Sequence, residues 1–206
     1  MIGRRVAVTA DRVARWFENF EAGHGGASYD VSDGGLHAVA EDGSTATARL
    51  PFDRRYAGAG RPDAFAEAVT VPDRWGLLLV RKGGFAVARL AQRSIVEHKI
   101  GQRHVQGRTK AGGQSQQRFA RRRDNQARVA YEAAADHAAR ILGHSLDALV
   151  VGGDHAAVDA VLSDPRLQPV ADRRTGGGLA VGDPRRAVLD RAVVDSCAVL
   201  IDVANA

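Results

Sequence analysis

Apolar residues recur along the chain with two different periods, and the switches between them divide it into segments. Val13, Trp16, Phe17 and Phe20 fall at i, i+3, i+4 and i+7, one stripe of an amphipathic helix that opens after Thr9 as N-cap and stops at the glycines of GHGG, residues 23–26. The next stretch, YDVSDGGLHAVAEDGSTATARLPF, alternates over short runs broken by Asp-Gly-Gly and Asp-Gly-Ser, which predicts strands joined by tight turns. GRPDAF then begins a connection bearing Pro and Gly. Residues 1–70 are therefore expected to form a small N-terminal α+β extension.

From Trp75 the pattern becomes WGLLLV, GFAVARLA and SIVEHKI, three apolar or alternating runs with short links, predicting consecutive antiparallel strands with a hairpin turn at Arg81–Gly84. QRHVQGR can continue this as strand or extended arm. Beyond it Phe119, Ala127, Ala130, Ala134, Ala138 and Ile141 keep three- or four-residue spacing apart from one gap of eight, so a long helix is expected over about Ser115–Leu142, stopped by Gly143. LDALVVGG follows as a buried strand, DHAAVDAVLS as a helix capped by Asp154, TGGG as a turn, Asp183-Pro184 as the N-cap and N1 of another helix, and AVLIDV as a closing strand. Alternating strands and helices predict an α/β fold for residues 71–206, a mixed β-sheet with packed helices.

Composition adds a location for the charge. Lys99, Arg103, Arg108, Lys110, Arg118, Arg121, Arg122, Arg123 and Arg128 face one acid, Asp124, in the same stretch; this segment alone exceeds the chain's formal +5, and the rest is net acidic. Solvated helix faces mix both signs, so a local excess of one sign points to a polyanion. With 45% hydrophobic residues the chain can bury a core, and no apolar run approaches the roughly 20 residues of a membrane span, so a soluble cytoplasmic protein without membrane partners is expected. The single cysteine, Cys197, lies in the apolar run SCAVLIDV and is expected to be a buried structural thiol.

Several site types find no support. The seven histidines are scattered, His98 and His104 near the basic segment included, without HExxH or paired Cys/His spacing, so neither metal nor cofactor is expected. Ser94, Ser115 and Ser145 stand in no nucleophile elbow. VVGGDHAAV lacks full dinucleotide-binding spacing and reads as a plain strand-to-helix turn. The stretch TKAGGQSQQRFARRR remains. Gly112 and Gly113 let a main chain approach a ligand with no Cβ in the way. Gln114 does not titrate, but its amide can position a water and its backbone N–H can stabilise a developing oxyanion. Arg118, Arg121 and Arg122, at i, i+3 and i+4, form a ridge suited to phosphates, and Arg108, Lys110, Arg123 and Arg128 extend the basic segment around it. Physically this is a glycine-tipped probe on a nucleic-acid-binding helix.

GGQSQQRFARRR, with the arm before it and the helix ending AADHAARIL after it, resembles the GGQ loop and following helix in the central domain of eukaryotic and archaeal class I peptide-chain release factors. The strands GLLLVRKGGFAVARL and LVVGGDHAAVDAVLSDPRL extend the similarity over about residues 75–203. HK at 98–99 together with RHVQGRTKAGGQSQ also resembles the Vms-type release-factor family of ribosome-associated quality control, whose smaller actinobacterial members fit the chain's size better. The resemblance implies a release-factor central-domain fold and a peptidyl-tRNA hydrolase. Gly112 and Gly113 would shape the tip, and Gln114 would act in the peptidyl transferase centre of the large ribosomal subunit. Arg118, Arg121, Arg122 and Arg123 would hold rRNA or tRNA phosphates.

In Vms-type members the glutamine commonly lies one residue further from the glycines, so Gln116 and Gln117 stand as alternative catalytic residues. Nothing resembles a decoding domain, which implies codon-independent rescue of nascent chains on stalled or split large subunits by a monomer. Two other readings stay open: a non-catalytic rRNA-binding factor, and a nuclease acting on the tRNA 3′ end.

Overall fold

A computed structural model describes residues 3–102, 114–143 and 145–206, with residues 114–127 described by their backbone alone. The chain divides into two compact units: residues up to Val71 together with Val194–Ala206, and Pro72–Val193.

The first unit is a five-stranded antiparallel sheet with helices packed on one face. β1 (Arg4–Val8) leads through a 3-10 turn, Ala10–Arg12, into α1 (Val13–His24). Val13, Phe17 and Phe20 are buried, while Trp16 is half-buried and stacks on Phe20 with ring centroids 5.7 Å apart. Thr9 makes no side-chain cap bond, contrary to expectation, because the 3-10 turn intervenes and α1 begins only at Val13. β2 (Ala27–Ser32), β3 (Gly35–Ala40) and β4 (Thr45–Arg49) form the expected meander. Asp33 and Gly34 both take positive φ (49° and 74°) in the first turn, the conformation a two-residue hairpin needs. The expected connection after it contains a helix, α2 (Pro62–Glu67), whose Phe65 is fully buried against Tyr56. Six residues with one large apolar anchor leave no periodic signal.

The chain's last strand, β10 (Val199–Ala204), also belongs here. It lies between β1 and β4, antiparallel to both, with Val199 and Ile201 buried in this unit's core. The expectation that AVLIDV completes the sheet of residues 71–206 is therefore corrected. Period-two alternation states which side of a strand is buried and carries no information about which sheet receives it.

The second unit is a mixed sheet in the order β7-β6-β5-β8-β9 with helices packed on it. β5 (Arg74–Arg81), β6 (Gly84–Ala91) and β7 (Ser94–Gln102) are consecutive antiparallel strands, and Arg81 pairs with Gly84 across the expected turn. The helix α3 runs Gln114–Leu142, one residue longer than its spacing predicts. β8 (Ala148–Gly153) lies parallel to β5, and α4 (His155–Leu162) returns over the sheet. A 3-10 turn, Pro165–Leu167, and the short α5 (Gln168–Ala171) lead to β9 (Arg174–Leu179), parallel to β8. The core joins Leu78, Val80, Phe85 and Val87 of the sheet to Ala134, Ala138, Ile141 and Leu142 of α3 and Val158 and Val161 of α4.

Two expectations fail in this unit for local reasons. TGGG is strand, not turn; Gly176 and Gly178 take positive φ (74° and 85°) beside an irregularity in the β8 register, and glycines carry no side-chain alternation by which a strand could be recognised. Asp183 and Pro184 do not open the next helix. α6 (Arg186–Ser196) starts two residues after Pro184, and Asp183 lies 3.8 Å from Arg81 Nε.

Candidate nucleic-acid interface and catalytic loop

β7 ends at Gln102 and α3 begins at Gln114, so the glycine-glutamine motif lies where the chain passes from an edge strand to the longest helix of the described residues. Gly112, Gly113, Arg108, Lys110 and His104 lie outside the described residues. Gln114 is the first residue of α3, and Gln116, Gln117, Arg118, Arg121, Arg122 and Arg123 follow within its first three turns; their side chains are outside the description. Positions 114, 118, 121, 125 and 128 advance by four, three, four and three, a spacing that keeps one face of a helix. Gln114 thus heads the row that carries Arg118, Arg121 and Arg128.

The basic row ends at Arg128. Its guanidinium Nη1 donates to Glu132 Oε1 at 2.6 Å, one turn on. A recess of about 550 Å³ beside it sets Lys82 and Arg128 against Glu132 and Asp164 around Tyr131 and Ser163, so the local charge is balanced.

The other half of α3 is an anchor. Ala134, Ala135, Ala138, Ile141 and Leu142 are buried, and His137 stacks on Phe85 of β6 with centroids 5.6 Å apart. Phe85 occupies the space above Gly101 of β7, where an added Cβ would come within 2.3 Å of its ring. Two side chains one turn apart make directional ties. Asp136 accepts from Arg166 Nη2 at 2.7 Å, and Arg166 also donates to Asp164, holding that carboxyl at about 2. Arg140 Nη1 donates to Glu97 Oε1 on β7, while Arg89 of β6 lies 3.6 Å from the other Glu97 oxygen. Arg140 and, more weakly, Arg89 hold the Glu97 carboxyl below the usual carboxylate range.

None of these ties was anticipated from the sequence. Glu97 stands beside the His98-Lys99 pair that marks the family resemblance, but its partner is 43 residues away and no local pattern links them. His98 Nε2 accepts from Arg186 Nη1 of α6 at 3.3 Å. Asp154 caps α4 as expected, accepting from the Ala156 N–H, and Gly153 turns the chain at φ 102° where a Cβ would lie 2.2 Å from the Val80 oxygen. Cys197 is buried. Among the described residues no His, Cys, Asp and Glu cluster is placed to hold a metal ion, and no helix is long and apolar enough to cross a membrane.

Comparison with solved structures finds partial likenesses. The Vms1 mitochondrial localization core superposes with a TM-score of 0.43 at 12% identity, covering 93% of this chain and 82% of that one. Pelota of Archaeoglobus fulgidus gives a TM-score of 0.29 at 14% identity over 94% of this chain and 62% of that one, and an archaeal protein 0.38 at 14% over 77% and 51%. No curated protein sequence matches the chain. Residues 73–202, well over half of the chain, match the family described as the Actinobacteria/chloroflexi VLRF1 release factor. That span holds all of β5 to α6 and the GGQ motif at the head of α3, and the chain belongs to this release-factor family.

Proposed function

We propose that the protein is a codon-independent peptidyl-tRNA hydrolase, acting as a monomer in the cytoplasm, that releases nascent chains from stalled or split large ribosomal subunits. The observation that carries this is the position of Gln114: in a chain of a release-factor family, the glutamine of the glycine-glutamine motif is the first residue of a helix anchored in the sheet at its other end.

The reaction is hydrolysis of the ester between the nascent chain and the terminal ribose of tRNA. Water attacks the carbonyl carbon, the carbonyl oxygen becomes an oxyanion, and the ribose oxygen leaves and takes a proton. Gln114 supplies orientation and electrostatics. Its amide holds the water, and its backbone N–H, among the first in α3, has no partner within the helix and carries the positive end of the helix dipole, which suits a developing oxyanion. Gly112 and Gly113 let that N–H come close to the ester, and a tRNA hydroxyl shuttles the proton, so no side-chain base is needed. Arg118, Arg121, Arg122 and Arg123 hold rRNA or tRNA phosphates.

Single-turnover release of a labelled nascent chain from purified stalled large subunits tests this. Gln114→Ala should slow release by about a hundredfold or more, the usual cost of removing one oxyanion or positioning group, with subunit binding retained. Release at the wild-type rate by Gln114→Ala, Gln116→Ala and Gln117→Ala alike would refute catalysis by the tip and leave a binding factor. The tRNA product should keep an intact 3′ end on a gel; a shortened end would mean nucleolytic cleavage.

A further inference from the structure

Among its described side chains, from Arg128 on, α3 meets the core from about Tyr131, and several of these contacts are made by alanines, which are short and non-directional. From Arg140 to Gln114 the helix spans roughly 39 Å at 1.5 Å per residue, so a tilt of about 5° at the base moves the motif by about 3.4 Å. Displacements of about 1 Å can cost a hundredfold in rate, so whatever sets the tilt of α3 governs the reaction from a distance.

Glu97 is placed to do this. It lies on β7, the strand before the loop, and it binds Arg140 near the C-terminal end of α3, so one carboxylate ties that strand to the end of the helix remote from the motif. Its own aim is specified. Leu90 pairs with Ile95 and Arg89 with Glu97, which leaves Val96 as an extra, half-exposed residue in a β-bulge directly before Glu97. Bulges of this kind re-aim the neighbouring side chain. Arg89, opposite on β6, lies beside the second carboxylate oxygen, so the group has a neighbour on each flank. The pair is too exposed to be a stability device, with side chains 59% and 32% accessible, a setting in which ion pairs add little to folding.

We infer that Glu97 is a positioning residue: through Arg140 it sets the tilt of α3 and thereby the placement of the glycine-glutamine motif on the ester. This rests on the hydrolase reading above.

The test measures single-turnover release from stalled large subunits by wild type, Glu97→Ala, Arg140→Ala and the double variant, with Gln114→Ala as reference. Glu97→Ala should release at saturating protein at least about tenfold more slowly. The protein concentration giving half-maximal rate should stay within about twofold, and the thermal midpoint within a few degrees. The double variant should be no slower than the slower single one, because both changes remove the same tie. Wild-type release by Glu97→Ala alongside an inactive Gln114→Ala would overturn the positioning role and leave the hydrolase reading standing. Wild-type release by Gln114→Ala, Gln116→Ala and Gln117→Ala alike would remove the reading itself, and this inference with it. Losses that multiply in the double variant, or a change confined to the half-maximal concentration, would also overturn the inference. If Glu97→Ala unfolds, Arg140→Ala, changed on the solvent side of α3, decides by the same rate and concentration criteria.

Discussion

Asp42, in the turn between β3 and β4, shows how much local order one carboxylate can hold. It accepts from the Ser44 N–H at 2.8 Å and from His24 Nδ1, at the end of α1, at 2.7 Å, so it closes a hairpin turn and joins it to a helix terminus. The His24 bond, more than the Ser44 bond, lowers its pKa from 3.8 to about 2. A carboxyl depressed in the folded state binds its proton more weakly there than in the unfolded chain, so its contribution is complete above about pH 4 and disappears as pH falls towards 2. Wild type should therefore unfold at a higher temperature than Asp42→Asn at pH 6, and the gap should close between pH 4 and pH 2. A gap independent of pH would show that the side-chain shape matters and its charge does not. The same carboxylate shows a limit of sequence reading: Asp-Gly-Ser announces the turn, but nothing in it announces His24, which comes from a different element.

α3 combines two functions along one helix, and its sequence displays them unequally. The basic row at positions 118, 121, 122 and 123 is legible because charge and spacing are local. So is the helix itself, through the three- and four-residue recurrence ending at Ile141. The anchoring ties to Glu97 and Arg166 are not legible, since each joins residues 30 or more apart and an isolated Asp136 or Arg140 looks like any solvated helix residue. The structure adds what composition cannot, a carboxylate partner for Arg128 one turn on, at Glu132. Changing Arg121, Arg122 and Arg123 together to alanine should weaken large-subunit binding and lower the slope of log affinity against log salt by about 2 to 3, since each phosphate contact contributes about 0.7 to 0.9. Arg128→Ala should lower the slope by less than the about 0.7 to 0.9 of a full phosphate contact, because its charge is partly neutralised by Glu132. Filter binding across a salt series measures both, and an unchanged slope in the triple variant would place those arginines away from phosphate.

At the scale of the whole molecule, the chain's end returns to its beginning. The boundary near residue 70 is visible in the change of pattern from Asp-Gly turns to the long apolar run at Trp75, but the return of β10 is not. AVLIDV would serve equally well as the edge of either sheet. What decides is pairing: β10 fills the position between β1 and β4, exchanging ladder bonds with both, and puts Val199 and Ile201 under α1 and α2. During synthesis, β1 and β4 therefore lack their shared neighbour until Val199–Ala204 emerge, whereas β5 to β9 have all their partners earlier. A defect in β10 should consequently act on the start of the chain. Ile201→Ala, which empties a fully buried site, should cost about 2–5 kcal/mol in urea unfolding of the first unit. Native-state hydrogen exchange should show the lost protection in the amides of Arg4–Val8 and Thr45–Arg49, some 150 to 200 residues earlier in sequence, while those of Arg74–Arg81 keep theirs. Equal loss in both sheets would mean that the two units open as one cooperative body. Loss confined to β10 would mean that β1 and β4 are held without it.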